Sequence, residues 1–100
     1  MDREELKRRL IPFVNLGEQR GLPFTILRYD EPASGLERGR YALRIIAPWA
    51  AGKSFSERMD LILDVLWDST DVETRSGISS ILVEADEQAL NNSWLLKAAA

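Results

Sequence analysis

Between residues 40 and 68 the chain alternates and then cycles. Tyr41, Leu43, Ile45 and Ala47 fall on one face of a two-residue period, with Ala42, Arg44 and Ile46 on the other, so a strand is predicted over residues 41–47. From residue 54 the apolar positions recur about every 100°. Phe55, Met59, Ile62, Leu63 and Leu66 share one side, and Leu61, Val65 and Trp67 widen the arc. The polar remainder is a stripe of Glu57, Asp60, Asp64 and Asp68. Ser54 stands three residues before Glu57, the spacing of a capping box, and sets the start of this helix.

The flanking pattern fills in the other elements. Leu6, Leu10 and Phe13 or Val14 keep helical spacing from residue 2, with acid in the first turn and Lys7, Arg8 and Arg9 after it. Pro12 inside that helix would clash with the Arg8 carbonyl, so a kinked or broken helix is expected: either it stops near Leu10, or a second short helix starts with Pro12 in its first turn and ends near Gly17 or Gly21. Residues 24–30 read as a strand, and residues 30–39 as a loop carrying Pro32, Gly35 and Gly39. Thr70 and Glu73 repeat the cap spacing before a short helix that ends at Gly77. Residues 78–85 form a third strand, with Ile81, Val83 and Ala85 on one face and Ile78 and Leu82 on the other. Asp86 is placed to cap a last helix with Leu90, Trp94 and Leu95. This order predicts a small α+β fold: a three-stranded mixed sheet with helices packed on one face, and the third strand parallel to the second through a right-handed crossover. A single domain is expected over residues 1–96. Residues 97–100, Lys-Ala-Ala-Ala, are set aside as a tail, either native fray or an expression scar.

Composition narrows the chemistry. The chain has 100 residues with no cysteine and no histidine. Thiolate nucleophiles, disulfides, iron–sulfur ligation by cysteine and imidazole acid–base catalysis are therefore outside its reach. Neither a cofactor nor a metal is expected, and an enzyme is disfavoured. No apolar run is long enough for a membrane span, and the charged start does not read as a secretory signal, so the expected compartment is the cytoplasm. The net charge is −3, which makes nucleic acid an unfavoured partner. Charge is also uneven: nine Lys/Arg against seven Asp/Glu in the first fifty residues, and four against nine in the second fifty.

Three patterns invite a chemical reading. Residues 47–54 end in Gly52-Lys53-Ser54 and follow a strand, which matches a relaxed P-loop. That gives phosphate or nucleotide binding at Gly52, Lys53 and Ser54 as the alternative function. Pro48 removes an amide from such a cradle, Trp49 adds bulk to it, and the plain reading is a turn glycine, a surface lysine and a helix cap. The carboxylates Asp60, Asp64 and Asp68 line up four residues apart, as a cation site or as a solvated helix face. Arg28, Arg38, Arg40 and Arg44 gather on or beside the strands with Tyr29 and Tyr41. They suit nucleic-acid binding by the sheet face as a third reading; the plain readings are strand-edge charges or partners for the acidic stripe.

The order helix–strand–strand–helix–helix–strand resembles the BolA-like proteins, a topology close to that of class II KH domains. The match by residues runs over Leu43-Arg-Ile-Ile-Ala and then Gly52-Lys-Ser-Phe-Ser-Glu-Arg58 with its apolar helix. The resemblance implies a small regulatory protein of the bacterial cytoplasm. In that family the arginine is followed by a histidine implicated in cluster or metal ligation with a monothiol glutaredoxin. Here Met59 follows Arg58, so the iron–sulfur role does not carry over. The expected function is a non-enzymatic protein-interaction module. Its contact residues are expected among Trp67, Leu61, Val65, Asp60, Asp64 and Arg44. Leu61, Val65 and Trp67 need a second cover once the other apolar side faces the sheet. It can come from a second helix, from the tail segment with Leu90, Trp94 and Leu95 packed over Trp67, or from a second subunit; a homodimer is expected over a monomer.

Overall fold

The computed structural model describes residues 2–30, 40–85 and 96–97. Asp2 caps α1 (Arg3–Arg9), its carboxylate accepting the Glu5 amide at 2.8 Å. Leu10 closes α1 and opens α2 (Ile11–Gln19). Pro12 lies in the first turn of α2, where its missing N–H has no intrahelical partner to lose. The break predicted at the proline is therefore the junction between two helices. Gly17 lies inside α2, and a side chain there would meet the Phe24 ring at 2.4 Å. Phe24 in turn packs on Phe13, ring centroids 4.6 Å apart. Gly21 takes φ 73°, and the chain then turns into the sheet.

Among the described residues four strands make the sheet: β1 (Thr25–Asp30), β2 (Tyr41–Ile46), β3 (Ile78–Glu84) and β4 (Leu96–Lys97), in the order β3-β2-β1-β4. The pair β1–β2 is antiparallel and β2–β3 is parallel. This is the mixed three-stranded sheet that the sequence predicts, with a two-residue strand added at the β1 edge. That strand takes in Lys97, paired with Thr25, so the sheet reaches one residue into the supposed tail. The loop 31–39 and the last helix with Leu90, Trp94 and Leu95 lie outside the described residues, as do residues 98–100.

The helices cover one face. Leu6, Leu10, Phe13 and Val14 from the first two helices meet Ile26, Leu43, Ile45 and Val83 from the sheet, together with Ile62, Val65 and Leu66 of α3 (Phe55–Ser69). Two expectations change at this core. Val65, assigned to an uncovered flank, is only 1% exposed, while Phe55, assigned to the sheet side, is 66% exposed. The buried side of α3 is turned toward α2, which lies alongside it and supplies the second cover that so wide an apolar arc calls for. Ile78 also changes faces. Its partner Tyr41 is followed by Ala42, but the register jumps from Ile78 to Ser80. That extra residue resets the alternation, and Ile78 joins Val83 in the core.

Candidate protein-interaction groove

The central helix begins as its sequence specifies. Gly52 takes φ 78°, and Ser54 Oγ accepts the Glu57 amide at 3.2 Å while the same hydroxyl donates to Glu57 Oε1 at 3.1 Å. The next turn brings Arg58. Its Nε donates to the Lys53 carbonyl and its Nη1 to the Val83 carbonyl, both at 3.1 Å. Arg58 thus ties the glycine turn to the far end of β3.

The loop before the helix is closed on itself. Pro48–Ala50 forms a 3-10 turn. The amides of Ala50, Ala51 and Lys53 donate to the carbonyls of Ala47, Pro48 and Ala50. Trp49 is half-buried against the core and donates its indole N–H to the Pro23 carbonyl at 2.8 Å. A phosphate cradle needs convergent unpaired amides, and three of those in Ala50 to Lys53 are already engaged.

The other candidate charges are also mostly engaged. Arg44 makes a two-pronged pair with Glu84, with contacts of 2.8–3.1 Å. Its partner is therefore the neighbouring strand, and the expected pairing with the acidic helix stripe is not formed. Arg28 is opposite Arg44 in the β1–β2 register. Arg40 donates to the Ile78 carbonyl at 3.1 Å. In the acidic stripe Asp68 pairs with Arg20 at 2.6 Å, while Asp60 and Asp64 stay exposed with no ion pair among the described residues. No three metal-ligating side chains converge among the described residues, and no described helix is long and apolar enough to cross a membrane.

Among the described residues a cavity of about 260 Å³ lies on the flank of α3 away from α2. Met59, Leu63, Leu66 and Trp67 form its helical wall, Ile78, Ser79, Ser80 and Ile81 its strand wall, and Arg75 its end. Trp67 is 62% exposed. The Arg75 guanidinium lies 3.9 Å from the centre of its ring and donates to the carbonyl and hydroxyl of Thr70. The indole is therefore held in place while most of it faces solvent.

Arg75 comes from α4 (Val72–Ser76), and this helix is well anchored. Asp71 caps it, one residue later than the spacing of Thr70 and Glu73 suggests, accepting the Thr74 amide at 2.8 Å. Hydrogen bonds from the Thr74 side chain and amide hold the Asp71 carboxyl below its ordinary range. Arg9 of α1 reaches across to Glu73 at 3.2 Å while pairing with Glu5 at 2.7 Å, and these two carboxylates raise its already high pKa.

Of the contact residues expected from the sequence, Trp67 lines the groove, and Asp60 and Asp64 follow two of its lining residues in the helix. Leu61 is half-buried on the opposite flank, Val65 is enclosed in the core, and Arg44 is paired on the sheet. The residues missed are Met59, Leu63, Arg75 and the β3 segment. A signal for the first two was present: Met59, Leu63 and Trp67 stand four residues apart, an apolar stripe running beside the acidic one. Nothing local marked Arg75. Compared with protein-family models, curated proteins and solved structures, the chain matches none of them.

Proposed function

We propose that this chain is a non-enzymatic protein-interaction module of the bacterial cytoplasm, a BolA-like regulator without iron–sulfur ligands, and that it meets its partner with the groove between α3 and β3. The carrying observation is Trp67, a large aromatic side chain 62% exposed yet fixed by Arg75. Aromatic side chains held rigid in a partly enclosed pocket make strong contact points, because little side-chain freedom is lost on binding. The BolA-like part of the proposal is supported by the element order and by Arg58, placed early in the helix after a glycine turn.

The other two readings have less behind them. Phosphate binding at Gly52, Lys53 and Ser54 would have to take the Lys53 amide from the Ala50 carbonyl. Nucleic-acid binding by the sheet would draw on an arginine, Arg44, whose charge Glu84 already balances. The homodimer also loses part of its motive, since α2 covers Val65 and half-covers Leu61.

The test is affinity capture from the native host with the wild-type chain and with Trp67→Ala. A specific protein retained by the first and lost by the second is expected. In parallel, ATP or GTP with magnesium should leave the melting temperature unchanged. A ligand-induced rise would instead favour the phosphate site, because a ligand that binds only the folded state stabilises it.

A further inference from the structure

We propose that the groove takes an extended segment of another protein. The segment adds as a short strand along the outer edge of β3, with an apolar side chain in the cavity and neighbouring lysine or arginine side chains on Asp60 and Asp64. This rests on the interaction reading above and specifies its partner.

The backbone supplies the first half of the argument. β3 ends the sheet, and none of the described strands pairs with its outer side. The Glu84 carbonyl accepts the Ala47 amide, so it points at β2. Alternation turns the Val83 carbonyl outward, where Arg58 takes it. By the same alternation Ile81 presents its N–H and C=O to the outside. Among the described residues the edge is therefore closed by Arg58 at Val83 and by Arg40 at Ile78, and left open at Ile81 beside the cavity. An added strand sits about 4.8 Å beyond β3, and every second side chain on it faces the helix layer. There it meets Met59, Leu63 and Trp67.

Charge supplies the second half. Asp60 and Asp64 each follow a groove-lining residue of α3, are exposed, and have no partner among the described residues. Arg75, the cation of the groove, is already committed to Thr70 and Trp67. The rim is thus acidic, and a basic segment complements it. A second copy of this chain does not. A two-fold axis at β3 would set the Asp60 and Asp64 rim of one copy toward the same rim of the other. Like charges then oppose the pairing.

The experiment screens a displayed library of short random peptides against the full chain and measures the selected peptides by fluorescence anisotropy. Selected peptides should alternate apolar residues with Lys or Arg, and should slow hydrogen exchange at the Ile81 amide. Trp67→Ala should weaken them roughly 30-fold, as loss of a central aromatic contact does. The double variant Asp60→Lys, Asp64→Lys should weaken them about tenfold, and added salt should mimic it. Both variants change exposed side chains, so circular dichroism should show an unaltered fold. Selected peptides with acidic flanks, or binding indifferent to the double variant, would overturn the charge argument. Peptides that need Trp67 but leave Ile81 exchange unchanged would overturn strand addition and leave the interaction reading standing. Light scattering that finds a dimer broken by Trp67→Ala would assign the groove to a second copy instead. A screen without binders, together with an empty capture from the host, would remove both proposals.

Discussion

The two flanks of α3 carry similar sequences and have different fates. Toward α2, Val65 is enclosed, Leu61 is half-covered and Asp68 is neutralised by Arg20. Toward the β3 edge, Met59 and Leu63 are half-covered, Trp67 projects, and Asp60 and Asp64 have no ion partner among the described residues. An apolar arc that exceeds half the helix does not say which part of it is core. The neighbours decide, and here a helix pair from the N-terminus lies on one side while the sheet stops short on the other. The lesson is that a wide apolar helix needs cover on two sides only if both sides are structural. One side here is left as surface.

The largest effect that sharpens this contrast should come from Phe13→Ala. Phe13 is fully buried in the covering helix α2, so truncation should lower unfolding stability by about 3–5 kcal/mol in a urea titration. Trp67→Ala, on the open flank, should change it by less than about 1 kcal/mol, the scale of an exposed cation–π contact. Equal losses would mean that the two flanks are energetically alike and would end the comparison. Gly17→Ala comes next. The added methyl must displace the Phe24 ring, which is itself packed on Phe13, and overpacking of this kind costs about 1–3 kcal/mol.

Ser54→Ala acts on α3 itself and so on both flanks alike. Loss of its cap should lower stability by about 0.5–2 kcal/mol, with Lys53→Ala nearly silent. The smallest effect concerns pH. The Asp71 carboxyl is held below its unfolded range by the Thr74 side chain and amide. A depressed carboxylate contributes its stability above the unfolded pKa and loses it as pH falls through the folded one. Wild type should therefore exceed Asp71→Ala in melting temperature at neutral pH, and the gap should narrow under acid. A gap that widened under acid would contradict the assignment of Asp71 as the anionic cap of α4.

What the sequence made legible follows from the range of each interaction. The Ser54–Glu57 cap, the glycine turn and the helix break at Pro12 depend on residues a few positions apart, and all three could be read directly. The α+β class followed from the succession of two-residue and helical periods. The orientation of α3 was not legible, because it depends on α2, which ends 36 positions before α3 begins. Nor was the face of Ile78, which a single extra residue in β3 inverts. The cap of α4 was read one residue early because Thr70 and Asp71 both suit the position and only the backbone distinguishes them. In the groove, Trp67 was legible as part of the apolar arc that extends beyond the sheet-facing side. Its companion Arg75 arrives from another helix and could be found only in three dimensions.

The position of β2 has a consequence for how the chain is made. It lies between β1, which precedes it, and β3, which follows only after two further helices. A nascent chain that has just released residues 41–46 from the ribosome can pair that strand on one side alone. Its other side, Tyr-Ala-Leu-Arg-Ile-Ile, stays open until α3, α4 and β3 have been synthesised and the parallel pair can close. Unpaired apolar strands are where partly folded chains associate. The interval between translation of β2 and translation of β3 is thus the period in which this protein is most exposed to aggregation, and in which a holdase chaperone would have most to bind.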